Sequence, residues 1–425
     1  MKIIRSTHAV RHRSLVWTVA LFAALGMCAA ITHTAESAAR VVPPPFTKAA
    51  MLPSGYLSTR GSQIIDSHGR PVRLASIGGF GTCVSTGGLD YSYGAYLGLD
   101  TNIAALKRLG FNCIRADFND KNVGDPAMMA QFDQLVAACK KYGVKVIFDH
   151  HNNEATPADW GNAAQQTNGL WFDTGPGSDG TDGAHDTGTI SREKFQQDWV
   201  TMARHWAGDS TVIGFDLDNE PHTQYGHNTE NWGQGGPCDI WAMFTTVGSA
   251  IQAVDPGVLI ICEGPMDVTD KNSIIWWMMD LTPAATKPVV LPMPHKLVYS
   301  VHEYPNLPND SGPALIARLN KDWGFLERQN IAPVWIGEMG ASMDVEDGGH
   351  TSVAEQSAWG RTLLSYMNGS APDGPRFPGN QQGISGDWWR WGCLPGQTPD
   401  GCLDTAGRLR PLQSIYIEQM LFLPK

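Results

Sequence analysis

Eight short β-rich runs recur along this chain, separated by helical patterns, and that alternation limits its possible folds more than any other feature. The runs are "RLASIGG", "CIRADF", "KVIFDH", "VIGFDLDN", "VLIICEG", "KLVYSVHEY", "PVWIGEMG" and "GDWWRWG". Between them lie amphipathic stretches such as "NIAALKRLG", "MMAQFDQLVAACKKYG", "REKFQQDWVTMARHWAG" and "IWAMFTTVGSAIQAV". Strands that alternate with helices build a parallel sheet buried on both faces, and eight of them are the count of a (β/α)8 TIM barrel. A doubly wound open sheet would carry a Gly-rich phosphate fingerprint after its first strand, and none follows "RLASIGG". The chain's 425 residues, 42% hydrophobic and only 17% charged, are enough for one such domain. Upstream, "YLSTRGSQIIDSHGRPVRLASIGG" predicts a short N-terminal hairpin with its turn signals at "DSHGRP".

The N-terminus reads as a targeting segment. "MKIIRSTHAVRHR" is basic, "SLVWTVALFAALGMCAAI" is apolar, and "THTAESAA" offers small residues for a cut near Ala39. The expected layout is a signal peptide over 1–39, a short Pro-containing lead over 40–52 and a catalytic domain over 53–425. Cleavage would take away four basic side chains and one acid, moving the formal charge from −11 to −14. An exported, acidic chain of this kind suits a neutral substrate. It argues against a nucleic acid partner, which needs a basic patch, and against stable membrane association once the signal is removed. No protein partner is read from the sequence. Of the eight cysteines, Cys113, Cys139 and Cys262 sit in apolar strand or helix patterns and are expected as buried thiols. Cys393 and Cys402 flank the turn-rich "LPGQTPDG" and are the disulfide candidate; Cys83 and Cys238 lie in loops, their pairing open.

Polar residues collect at the C-terminal ends of the runs. Arg115 and Asp117 end the second. Asp149, His150, His151 and Asn152 end the third. Asn219, Glu220 and His222 end the fourth, and Glu263 the fifth. His302, Glu303 and Tyr304 end the sixth, Glu338 the seventh, and Trp388, Trp389 and Trp391 crowd the eighth. In a closed barrel this is the face that carries the active site. The fourth and seventh strands lie across the central pocket from each other, so Glu220 and Glu338 would face one another. Two such carboxylates are what glycosidic cleavage needs: one protonated to assist the leaving oxygen, one ionised to attack the anomeric carbon. Strand alternation would point Asp216 and Asp218 into the barrel as structural groups held by Arg115 or the third-strand histidines.

His150, His151, His222 and His302 also invite a metal reading. None sits in an HExxH pattern and no Cys/His cluster has zinc spacing, so hydrogen bonds to sugar hydroxyls and to the catalytic carboxylates are the preferred role. Among the 15 tryptophans, Trp160, Trp171, Trp232, Trp276, Trp277 and Trp389 lie in loops or near strand ends, where an indole face packs on a sugar ring or on the core. The Gly/Asp/Thr-rich stretch Asn168–Thr189 is expected as a long loop after the third strand.

With these residues in place the chain resembles glycoside hydrolase family 5, over nearly all of the mature sequence. "FDLDNEP" looks like the family's acid/base motif and "VWIGEMG" like its nucleophile motif. The resemblance implies a retaining (β/α)8 glycosidase that needs no metal or organic cofactor. It would make Glu220 the acid/base, Glu338 the nucleophile and Asn219 the ligand of the sugar 2-hydroxyl. Arg115 would bond the nucleophile, His302 and Tyr304 would be the sixth-strand pair, and Trp389, or Trp388 one place earlier, would underlie the cleavage-subsite sugar. His151 matches the third-strand histidine, with His150 one residue out of register. "SIGGFGTC" departs from the Asn-Trp pair often found on the first strand. The expected activity is endo-β-1,4-glucanase acting on cellulose or a soluble β-glucan. The rivals are a β-mannanase or other β-glycanase of the same fold, a silent polysaccharide-binding protein, and a metal-dependent hydrolase built on the histidines.

Overall fold

The structure, a computed structural model, describes residues 47–48, 51–81, 98–153, 169–174, 189–222, 230–265, 280–305, 310–343, 351–392, 401–403, 410, 413, 416–418 and 422–423. The expected signal segment and the flanking Cys83 and Cys393 lie outside them, as do Trp160, Trp276, Trp277 and most of the 168–189 stretch. Eight parallel strands close into a barrel: β4 (Ala75–Ile77), β5 (Cys113–Asn119), β6 (Lys145–Asn152), β7 (Val212–Asp216), β8 (Leu259–Glu263), β9 (Leu297–Glu303), β10 (Val334–Met339) and β11 (Ser385–Trp388). β11 pairs with both β10 and β4, so the last strand seals the ring against the first. All eight coincide with the runs read from the sequence. A two-residue pair outside the barrel joins β1 (Thr47–Lys48) to β12 (Phe422–Leu423).

The helices form where the sequence gives them caps and a stripe. In α1 (Pro126–Tyr142), Asp125 accepts the N–H groups of Ala127 and Met128, Pro126 occupies the first turn, and Gly143 ends the helix at φ 70. Met128, Phe132, Leu135, Val136 and Cys139 make its buried face. That spacing of about 3.6 residues lays one stripe on the sheet, and each large side chain contributes roughly 1.5–3 kcal/mol of burial. α2 (Val353–Met367) starts on a reciprocal capping box between Ser352 and Glu355.

The lower half of the barrel is apolar. Cys113, Ile147, Ile213, Leu259, Ile261, Val298 and Trp335 form one inner cluster with Leu57 and Ile64 of the N-terminal hairpin, which therefore closes the bottom. That hairpin, β2 (Ser58–Arg60) with β3 (Gln63–Ile65), turns at Gly61 and not at "DSHGRP". Gly61 has φ 56, and a Cβ there would come within 2.2 Å of Asn330 Oδ1, the atom that accepts the Ser62 N–H. The "DSHGRP" turn is real but second. Asp66 accepts the N–H groups of His68 and Arg70, and an isolated bridge joins Ile65 to Pro71. Cys113, Cys139 and Cys262 are buried thiols as expected. Cys402 is buried, its Sγ 3.2 Å from the Trp391 carbonyl, but the proposed partner Cys393 lies outside the described residues. The same holds for Cys83, the possible partner of Cys238.

Candidate active site

The upper half of the barrel is organised around one buried cation. Arg115 points inward from β5 and is fully buried. Its Nε and Nη2 each lie 3.0 Å from Asp216, Nη2 also meets Asp149 at 2.9 Å and Asn219 Oδ1 at 2.7 Å, and Nη1 donates to Glu338 at 2.6 Å. A planar guanidinium with five fixed donors can serve several acceptors at once; an ammonium cannot. Glu338 stands at the end of β10, and its other oxygen accepts from the Tyr304 hydroxyl at 2.6 Å. Both oxygens of this carboxylate therefore accept.

Glu220 lies just past the end of β7, in the left-handed region at φ 48. A non-glycine residue there costs on the order of 1–3 kcal/mol and persists only where its surroundings hold it. Three contacts do so. Its N–H donates to Glu263 Oε2 at 3.1 Å, its carbonyl accepts from His222 Nδ1 at 2.6 Å, and its Oε1 lies 3.0 Å from His302 Nδ1. Oxygens of Glu220 and Glu338 lie within 4.8 Å of one another, with His302 Nδ1 close to both. Burial, with the charge of Arg115 nearby, pushes His302 down to about 3, so its imidazole is neutral.

The other expected site residues separate. His151 faces the mouth, Nδ1 2.7 Å from Asp149, its ring stacked on Trp389 at 5.5 Å and 12°. His150 points the other way. It bonds Asp120 at 2.8 Å and packs on Phe118, Phe195 and Trp199 among the helices, so alternation settles the third-strand register in favour of His151. His222 supports the backbone of Glu220 from behind. Trp389 is part-exposed at the mouth, whereas Trp388 is buried in the core, as are Trp171 and Trp232. The glycines of "SIGGFG" answer to Trp389 and Arg390: a Cβ on Gly78 would lie 2.5 Å from the Trp389 ring, and one on Gly79 2.9 Å from Arg390. Asp216 is held by Arg115, as expected. Asp218 meets a third-strand histidine, as expected, but not inside the barrel: β7 ends at Asp216, the alternation stops there, and Asp218 turns to the outward-facing His150 at 3.7 Å. The sequence reading placed Glu263 at the end of the fifth run, on the active-site face, but gave it no role in the site.

Glu220, His302 and Glu338 could together offer donor atoms to a metal ion. Arg115, 2.6 Å from Glu338, puts a fixed positive charge beside any such ion, and the donor set suits sugar chemistry better.

Several buried groups hold protons that the unfolded chain would release. Burial favours neutral imidazoles, but Asp120 and then Asp218 lift His150 to about 10, and Asp149 lifts His151 to about 8. Burial, reinforced by Asp149 against the pull of Arg115, lifts Asp216 to about 7. A folded value above the unfolded one means stability present at low pH and lost as pH rises through the folded value. The Asp216 contribution declines from about pH 4 to 7 and the histidine contributions from about pH 6.5 to 10. His302 and His222, both held below the ordinary imidazole value, work the other way and add stability as pH rises from 5 to about 6.5, but the raised groups outweigh them, so the melting temperature should still fall by roughly 5 °C between pH 5 and 9. Calorimetry at constant ionic strength checks this; a rising melting temperature would contradict it.

A parallel (β/α)8 barrel whose mouth holds two carboxylates this close, each with different partners, has the architecture of a glycoside hydrolase. The cellulases, glycosyl hydrolase family 5, match over residues 65–393, and the chain belongs to that family. It is thus an O-glycosyl hydrolase of the cellulase type. It is 28% identical over 353 residues to an endoglucanase of Paenibacillus polymyxa, covering 76% of this chain and 79% of that protein. It is 25% identical to the major extracellular endoglucanase of Xanthomonas campestris, over 81% of this chain and 66% of that one. It spans about half, 47%, of endoglucanase G of Acetivibrio thermocellus, over 57% of its own length. In fold it is similar to an endocellulase of Pyrococcus horikoshii solved with cellotetraose, at TM-score 0.67 and 23% identity, covering 87% of this chain and all of that one.

Proposed function

We propose that this protein is a secreted, retaining endo-β-1,4-glucanase that cleaves internal bonds of cellulose or soluble β-glucan. The observation that carries this reading is the approach of Glu220 and Glu338 to within 4.8 Å. Retaining enzymes keep their carboxyls about 5–5.5 Å apart, and inverting ones leave about 6.5–9.5 Å for a water. Glu338 attacks the anomeric carbon while Glu220 gives its proton to the departing oxygen; water, activated by Glu220, then frees the sugar. Arg115 and Tyr304 hold Glu338 for in-line approach. Asn219 uses its oxygen on Arg115, while its buried Nδ2 has no hydrogen-bond partner among the described residues and suits a sugar 2-hydroxyl. Trp389 offers an indole face to the ring above it. The N-terminal basic and apolar segments support secretion, as does the extracellular relative in Xanthomonas campestris.

A panel of carboxymethylcellulose, mannan, xylan and mixed-linkage glucan, with product anomers followed by NMR, tests the proposal. The expected result is strongest release from carboxymethylcellulose or mixed-linkage glucan, with the β-anomer formed first. Preference for mannan would move the substrate, and initial α-anomer would overturn the retaining mechanism.

A further inference from the structure

Glu263 ends β8 and is fully buried, yet nothing in the two-carboxylate mechanism uses it. Its two oxygens face the two parts of the Glu220 environment. Oε2 accepts the Glu220 N–H at 3.1 Å, at the residue whose backbone occupies the left-handed region. Oε1 lies 3.1 Å from His302 Nε2, at an angle outside ordinary hydrogen-bond geometry in this conformation. His302 Nδ1 in turn lies 3.0 Å from Glu220 Oε1. The three residues thus form a closed ring of contacts, closed on one side through the Glu220 backbone N–H.

A neutral imidazole has one N–H, so the ring has two proton arrangements. If His302 carries its proton on Nε2, its Nδ1 can only accept, and the proton of Glu220 is drawn onto Oε1 and toward the histidine. If His302 carries it on Nδ1, that N–H donates to Oε1. The acidic proton of Glu220 then sits on Oε2, the oxygen that would pass it to the glycosidic oxygen. The second arrangement needs a donor facing Nε2.

We propose that Glu263 is a positioning residue for the acid/base. In its carboxylic acid form it accepts the Glu220 N–H and donates to His302 Nε2, fixing the His302 tautomer and confining the transferable proton of Glu220 to Oε2. Burial, reinforced by the charge of Asp216, pushes the Glu263 carboxyl well up, consistent with the acid form. The inference rests on Glu220 being the acid/base.

Glutamine is the isostere of that form: its carbonyl accepts the Glu220 N–H and its amide donates to His302. Glu263→Gln should keep near wild-type kcat/KM and an unmoved alkaline limb of the pH profile. Glu263→Leu should lose about 10- to 100-fold in kcat/KM on a cellooligosaccharide, whose leaving group needs the acid, with the alkaline limb displaced. It should lose little on a dinitrophenyl cellobioside, whose leaving group departs unaided. Glutamine as damaging as leucine would overturn the proposal, as would equal losses on both substrates with an unmoved limb. Nitrogen NMR of the wild-type protein decides independently of whether the leucine variant folds: protonated Nδ1 of His302 supports the inference, and protonated Nε2 overturns it. Glu220→Ala is the control. If its losses do not depend on the leaving group, the assignment of Glu220 itself fails, a result distinct from failure of the Glu263 proposal alone.

Discussion

Glu338→Ala should abolish turnover of cellulosic substrates, lowering kcat by on the order of 10⁴ or more, while the barrel stays folded. The argument is geometric. Glu338 is the carboxylate that Arg115 and Tyr304 hold from both sides, at 2.6 Å each, across the cleft from Glu220. Truncation removes the nucleophile and leaves the Arg115 charge near the reacting carbon with its remaining partners intact. Added azide should then enter the vacated space and attack the sugar of an activated aryl cellobioside. That single displacement inverts the centre and yields the α-glycosyl azide. If Glu338 were the acid and Glu220 the nucleophile, azide would instead give the β-product, after a normal first displacement by Glu220. The configuration of the azide adduct therefore separates the two assignments, and residual activity above about 1% of wild type would remove Glu338 from the nucleophile's role.

The strands and the two glutamates were legible in the sequence because each depends on local information. Short β-rich runs separated by helical stripes mark the barrel, and carboxylates at the ends of the fourth and seventh runs mark the mouth. Three details were not legible, for three physical reasons. Asp218 continues the period-two pattern of Asp216, but the backbone leaves the strand at Asp216, and only the structure shows that the pattern has lost its meaning there. The hairpin turns at Gly61, not at the richer "DSHGRP" signal, because Asn330, distant in sequence, accepts the Ser62 N–H. Glu263 shows one acidic residue at the end of an apolar run. Its significance arises from contacts with Glu220, 43 positions away, and with His302. Whether His150 or His151 enters the site was ambiguous for a further reason. Two adjacent histidines face opposite sides of a strand, and the residue that fixes the phase is Asp149, bonded to Arg115.

Arg115→Leu should damage both stability and catalysis, and the pH dependence of the damage identifies the cause. Arg115 is the common partner of Asp149, Asp216 and Glu338 in a fully buried setting. Removing one partner of a buried ion pair costs about 3–5 kcal/mol, because the charges left behind can neither hydrate nor pair. Asp216 is already pushed up to about 7 with Arg115 present, so without it the carboxyl keeps its proton at neutral pH. The loss of stability should therefore be smaller at pH 5, where protonation relieves the stranded acids, than at pH 8. Calorimetry or chemical denaturation at the two values reads the difference. Arg115→Lys makes the complementary case. It keeps the charge and much of the stability, but one ammonium cannot reach Asp216, Asn219 and Glu338 together as the planar fork does. Its kcat/KM should fall by on the order of 10² or more, since Glu338 and Asn219 lose their fixed separation. A lysine variant with wild-type activity would mean that the cation acts by charge alone. Equal destabilisation of the leucine variant at pH 5 and pH 8 would mean that lost packing, and not stranded carboxylates, is what Arg115 prevents.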